Sequence, residues 1–263
     1  MSYTSVLKRL SVRDMTVLSI VAEMYGAPMD VVASMLRVSQ DRAYRIARGW
    51  TEATMISPLR VKPVPGYAWI FPTRAAGEAL TGRQLRAWVP TPKMAAHVRT
   101  TLEVRLALVG LDLDRWVSER ALRGEQPPTR AGVARSHIHD GRFRTKAGDW
   151  WAVEVELSPK DPAAARSALA SAVQVARSAG CVGVTYYCRG ERVKNVIRTA
   201  AAGVDFSDGF RVTLDDVDAL LARSAFAPSS PGARPGFRVI EGGACDPTSI
   251  QVTDRDARKG DRS

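Results

Sequence analysis

Residues 153–160 read VEVELSPK, and Glu154 and Glu156 stand two apart in a run otherwise made of Trp150, Trp151, Ala152, Val153, Val155 and Leu157. Those neighbours belong to a buried strand. Successive strand residues point to opposite faces, so the two carboxylates share a face with Ala152, opposite Val153, Val155 and Leu157. Asp140, beside Gly141, falls on the neighbouring strand of a hairpin joined by RTKAGD. Three carboxylates from paired strands can converge on one point. Packed without a cation they repel, and one or more takes up a proton. Mg²⁺ relieves this, because it takes oxygen ligands and keeps several waters. An ion so held can activate water for phosphodiester attack. Asp140, Glu154 and Glu156 are therefore the metal-ligand candidates. The plain alternative is a half-exposed strand with one polar face.

The histidines offer less. His137 and His139 alternate with Ile138 and are expected on one strand face, opposite Asp140. A zinc site needs a third and a fourth ligand, and none has suitable sequence spacing. His97 sits in a helical pattern and is expected to be a satisfied polar residue. Trp150 and Trp151 are expected in the core rather than stacked on a base.

The elements that must position these residues lie between 89 and 225. PKMAAHVRTTLEVRLALVGL reads as a helix, DRWVSERALRG (114–124) as a strand, and HDGRF and DWWAVEVELS as a strand pair. Pro162 opens a helix that Gly180 stops. CVGVTYYC is a compact apolar strand, RGERVKNVIRTAAAG a helix, and FRVTLDDVDALLAR a strand followed by a capped helix. The order α-β-β-β-α-β-α, with a further strand and helix, predicts a mixed-sheet α/β domain.

Residues 1–88 form a different pattern. Ser11 can cap a helix with Met15, Leu18, Val21 and Ala22 at helical spacing. Pro28 suits the start of a short second helix that turns Val31, Val32, Met35 and Leu36 inward. Ser39 then caps a third, SQDRAYRIARGWTEATMI. Two extended runs around Pro65-Gly66 fit a β-hairpin wing, and Thr73 can cap a helix through Leu80. The pattern is a winged helix-turn-helix. On the third helix Arg42, Arg45 and Arg48 lie three apart and share a face, with Gln40 and Tyr44 near its start. The start of a recognition helix meets base edges, and Arg and Gln read guanine and adenine. Arg60 and Lys62, on the wing, suit phosphate contacts. The alternative is an ordinary basic, solvated helix face.

The whole chain supports a polyanionic partner. Its 263 residues carry a formal net charge of +11, with a pI near 10.1, which favours nucleic acid over a membrane surface. Three cysteines, Cys181, Cys188 and Cys245, without CxxC spacing argue against a disulfide framework or a zinc finger. The first residues lack the apolar core of a signal peptide, and no run approaches the roughly 20 apolar residues of a membrane helix. A cytoplasmic protein without a membrane partner is expected. Residues 226–263, rich in Gly, Asp, Arg and Ser, are expected to form a disordered tail.

The α/β order resembles the core of the PD-(D/E)xK nuclease-like superfamily, which places an Asp near the start of one strand and (D/E)-x-K on the next. Asp140 and Glu154 occupy these positions, but Glu156 stands where the family has Lys. Lys160 follows four residues after Glu156, across Pro159, and an extended chain would carry it about 13 Å further on. It substitutes only if the chain bends at Pro159; Lys146 is a weaker substitute. The resemblance also implies a contribution from Glu103 on the preceding helix. A closer resemblance, over roughly residues 10–200, is to the replication-relaxation family of actinobacterial plasmids and other mobile elements. It rests on GYAWIFPTRAAGEAL, LEVRLAL with His97, HDGRF and WAVEVELSPK. His139 stands where that family's turn has Pro before the Asp.

The expectation is an N-terminal winged helix-turn-helix (1–88) followed by a restriction-endonuclease-like mixed-sheet α/β domain (89–225). The protein would bind double-stranded DNA and act in replication, relaxation or their control, beside replication or transfer proteins of the same element. One alternative is an active Mg²⁺-dependent endonuclease, with Asp140, Glu154 and Glu156 as ligands and Lys160 polarising water. Only that alternative calls for Mg²⁺. The other is a transcriptional repressor that forms a homodimer through its second domain and has no catalysis.

Overall fold

The first helix, α1 (Val12–Glu23), begins where Ser11 and Asp14 close a reciprocal capping box, the Asp14 N–H donating to Ser11 Oγ at 3.1 Å. The structure is a computed structural model that describes residues 10–86, 88–126, 136–204 and 209–226; most of the expected tail lies outside them. Val17, Leu18, Ile20, Val21 and Ala22 are buried on α1, whereas Met15, expected inward, is 38% exposed on its solvent side. A two-residue strand β1 (Ala27–Pro28) leads into α2 (Met29–Leu36), on which Val31, Val32, Met35 and Leu36 are all buried. Arg37 turns the chain in the left-handed region, at φ 53°. Then α3 (Gln40–Glu52) starts at Ser39, whose hydroxyl accepts from the Arg42 N–H.

The segment expected as a hairpin wing is sparser than a hairpin. The two runs pair through two isolated bridges, Val61 with Trp69 and Ile56 with Pro72, and the second run forms β2 (Trp69–Ile70), which also pairs antiparallel with β1. Pro63 and Pro65 cannot donate to a ladder, so the first run cannot propagate one. Helix α4 (Arg74–Thr81) is capped by Thr73 and ended by Gly82 in the left-handed region.

The long α5 (Pro92–Val109), with Pro at its first position, precedes the main sheet. Residues 114–124, expected as one strand, divide into β3 (Trp116–Ser118) and α6 (Glu119–Glu125). Ser118 causes the change: its hydroxyl accepts from the Ala121 N–H at 3.1 Å, and the residues that follow favour a helix. Next come β4 (Gly141–Arg144), β5 (Trp150–Glu156), α7 (Pro162–Ser178), β6 (Gly183–Cys188), α8 (Glu191–Ala201), β7 (Arg211–Asp216) and α9 (Val217–Arg223). The sheet order is β3-β4-β5-β6-β7. Its first three strands run antiparallel, and β6 and β7 continue parallel to β5. The protein is thus a mixed α/β chain.

Two apolar clusters cover the sheet. Val153, Val155, Phe143, Trp116 and Tyr187 join a cluster that also takes in α5 and the buried faces of α1, α2 and α3. Ala152, Val184, Tyr186 and Cys188 join one built with α7 and α8. All described residues fall in one compact unit. Two arginines tie the first helices to the sheet region. Arg99 of α5 donates to both carboxylate oxygens of Asp30 on α2, at 3.3 and 2.6 Å. Arg120 of α6 donates to the Ala22 carbonyl of α1 at 2.7 Å.

Candidate functional site

Gly141 opens β4 opposite Val153 of β5. A Cβ there would stand 2.2 Å from the Trp116 ring, so only glycine lets β3 and β4 approach this closely. Asp140 precedes it, outside the strand. Its N–H donates to the Val153 carbonyl at 3.1 Å, and its Oδ2 accepts from the Val155 N–H at 2.7 Å. Its other oxygen lies 2.9 Å from His97 Nε2 on α5. Asp140 is thereby held between the edge of β5 and a helix.

Glu154 and Glu156 are buried, 6% and 8% exposed, so the half-exposed polar face is not what the strand presents. Oε1 of Glu154 accepts from His137 Nε2 at 2.7 Å and from His139 Nδ1 at 2.8 Å. Residues 136–139 are irregular rather than a strand, which frees both rings to turn toward the same carboxylate. Oε1 of Glu156 accepts from Lys160 Nζ. The chain bends at Ser158, and so Lys160 returns to Glu156 instead of continuing along the strand. Glu103 pairs with Arg99 Nε at 3.0 Å and belongs to the Asp30 network.

These environments push the carboxylates apart. Burial raises the Glu154 pKa, but the two histidine hydrogen bonds outweigh it and hold the group below the usual carboxylate range. Burial raises Glu156 as well, and Lys160 only partly offsets it, so Glu156 titrates above that range. Burial likewise raises Glu103 more than Arg99 lowers it. For His137, burial disfavours the charged ring, but Glu154 overcomes this and raises its pKa. Asp140 does the same for His97.

The carboxylates are neighbours with separate partners: Asp140 with His97, Glu154 with the histidine pair, Glu156 with Lys160. Among the described residues, one group of three offers ligand atoms within 4.8 Å of one another: His137, His139 and Glu154. Sequence spacing hid it. The H-x-H pair is local, but its third member comes across the hairpin. Strand pairing would not have found it: extending the Gly141–Val153 register sets His139 and His137 across from Val155 and Leu157, on the other face, and only the irregular backbone of 136–139 brings both rings to Glu154.

The second region is the outer face of α3. Arg42, Tyr44, Arg45 and Arg48 are exposed, while Ala43, Ala47 and Trp50 are buried on the opposite side. No side-chain hydrogen bond or ion pair engages Arg42, Arg45 or Arg48 among the described residues. Gln40 is half-buried, and its Nε2 has no hydrogen-bond partner among the described residues. Lys62 is exposed. Arg60 is half-buried and engaged within the chain: it donates to Thr51 Oγ1 at 2.8 Å and to the Leu59 carbonyl at 3.2 Å, bracing the wing segment against α3. Burial lowers its pKa.

No helix among the described residues is long and apolar enough to cross a membrane. The fold and these two regions define a mixed α/β protein with a basic helix face that is unpartnered among the described residues and a buried histidine–carboxylate cluster. Comparison with models of protein families, with curated proteins and with solved structures finds no match.

Proposed function

We propose that this chain is a double-stranded-DNA-binding protein of a plasmid or other mobile element, acting in replication, relaxation or their control. The resemblance to the replication-relaxation family supplies the context. The observation that carries the proposal is the face of α3, where three arginines face solvent without a side-chain partner among the described residues and Tyr44 stands exposed beside them. Cations held this way are available to phosphates and base edges. The order α1-β1-α2-α3-β2, with Ser39 capping α3, supports a winged helix-turn-helix.

In the same way, the order α5-β3-β4-β5-α7-β6, an antiparallel meander continued by a parallel strand, supports a nuclease-like second part. Its carboxylates each face a base of their own, and two imidazoles stand against Glu154. Mg²⁺ prefers an all-oxygen shell, so this donor set suits it poorly. That supports a domain that keeps the nuclease-like layout without the cleavage chemistry.

The test starts from duplexes selected out of a random pool by the wild-type protein. In gel retardation, Arg42→Ala/Arg45→Ala should weaken binding at least about 30-fold, from about 1–3 kcal/mol per base contact. Equal binding by the double variant would overturn the proposal. Supercoiled plasmid with Mg²⁺ should stay intact; nicking that Glu154→Ala abolishes would establish the endonuclease alternative instead.

A further inference from the structure

The geometry points to a divalent transition-metal site, of the zinc class, formed by His137, His139 and Glu154. It does not depend on DNA binding by α3. Three features support it. The donor types are right: two imidazoles and one carboxylate are the ligands zinc-class ions take, whereas Mg²⁺ favours oxygen alone. The spacing is close to right. One ligand atom from each residue lies within 4.8 Å of the others, and both ring nitrogens stand 2.7–2.8 Å from a single carboxylate oxygen. An ion bonded at roughly 2.0–2.1 Å to each would hold tetrahedral ligands roughly 3.3 Å apart. The two nitrogen–oxygen contacts therefore open by about half an ångström, and the two nitrogens, which lie within 4.8 Å of each other, settle toward about 3.3 Å.

The third feature is the state of His139. The residue is 0% exposed, and its Nε2 has no hydrogen-bond partner among the described residues. Buried side-chain nitrogens are nearly always paired. What bears on the site is that this fully buried ring turns its Nδ1 to the same carboxylate oxygen that His137 Nε2 meets, so two imidazole nitrogens converge on one point. The nitrogen that would ligate is Nδ1, which faces Glu154; Nε2 points away from the cluster and is not accounted for by the ion. The His137 side chain is 20% exposed, so the cluster has one open side. Three protein ligands with an open side leave the fourth position to water or to a ligand from solution.

Full-length protein without a histidine tag, stripped of metal, would be titrated with Co²⁺ and Zn²⁺. One Co²⁺ per chain should give the intense visible absorption of a tetrahedral site, and Zn²⁺ should displace it. His137→Ala, at the partly exposed ligand, should keep the fold, as circular dichroism would show, and weaken binding roughly 100-fold, since even outer-shell partners of a ligand are worth about 10–100-fold. His97→Ala should leave binding unchanged. Metal binding equal in wild type and folded His137→Ala would overturn the site, as would a wild type that takes up no Co²⁺. Displacement of Co²⁺ by equimolar Mg²⁺ would overturn it too, by showing that the imidazoles are not the ligands.

Discussion

The outer face of α3 and the β4–β5 region hold charge in opposite ways. On α3, Arg42, Arg45 and Arg48 project into solvent, and nothing in the described chain neutralises them. At the sheet, Glu154 and Glu156 are buried, and each has a base within reach. The difference follows from desolvation. A charge left in water costs the fold little and stays free for an outside partner. A charge taken out of water must be paired where it stands. Unpartnered exposed charge therefore points outward to a ligand, and paired buried charge points inward to the fold.

This contrast can be broken or sharpened by substitution. The largest effect is expected for another buried charge, Arg105 of α5, which is 2% exposed and donates to the carbonyls of Gly110 and Asp112 at 2.8 and 3.0 Å. Burial lowers its pKa to about 10. Arg105→Ala removes both donors and leaves a cavity, and should cost about 3–5 kcal/mol in urea denaturation. A cost below about 1 kcal/mol would show that buried charge here is not integral to the fold.

Gly141→Ala comes next. Its Cβ would press into Trp116, and strand separation should cost about 2–3 kcal/mol. Below the new melting temperature, the variant should still bind duplex DNA, because α3 is untouched. Loss of binding by the folded variant would mean that the two regions do not act separately. The smallest change in stability is expected for Arg48→Ala, within about 0.5 kcal/mol. The same variant should make the salt dependence of DNA binding shallower by about one phosphate contact. An unchanged slope would remove Arg48 from the interface.

Local signals in the sequence predicted much of the fold. Ser11, Ser39 and Thr73 each begin a helix through the cap expected of them, because capping needs only the next three residues. The hairpin between β4 and β5 was legible from its turn, and the burial of Val153 and Val155 from alternation. One local signal was passed over: the Ser118 cap, three residues from its partner Ala121, divides an expected strand into β3 and α6. Met15 fell on the helical stripe, but it is 38% exposed. Local signals failed where distant segments decide. The pairing of β2 with β1, a segment more than 30 residues earlier in the chain, had no local signal.

The candidate sites divide along the same line. The arginine face of α3 is a property of one helix, so its period and its cap were enough to read it. The carboxylate cluster depends on what comes across the hairpin and from α5. The sequence placed Asp140, Glu154 and Glu156 on neighbouring segments, but it could not say that His97, the histidine pair and Lys160 would each claim one of them. Helix periodicity and capping act over a few residues and are written in order along the chain. The pairing of buried charges is chosen among all groups that folding brings within a few ångströms, and only the tertiary structure makes that choice.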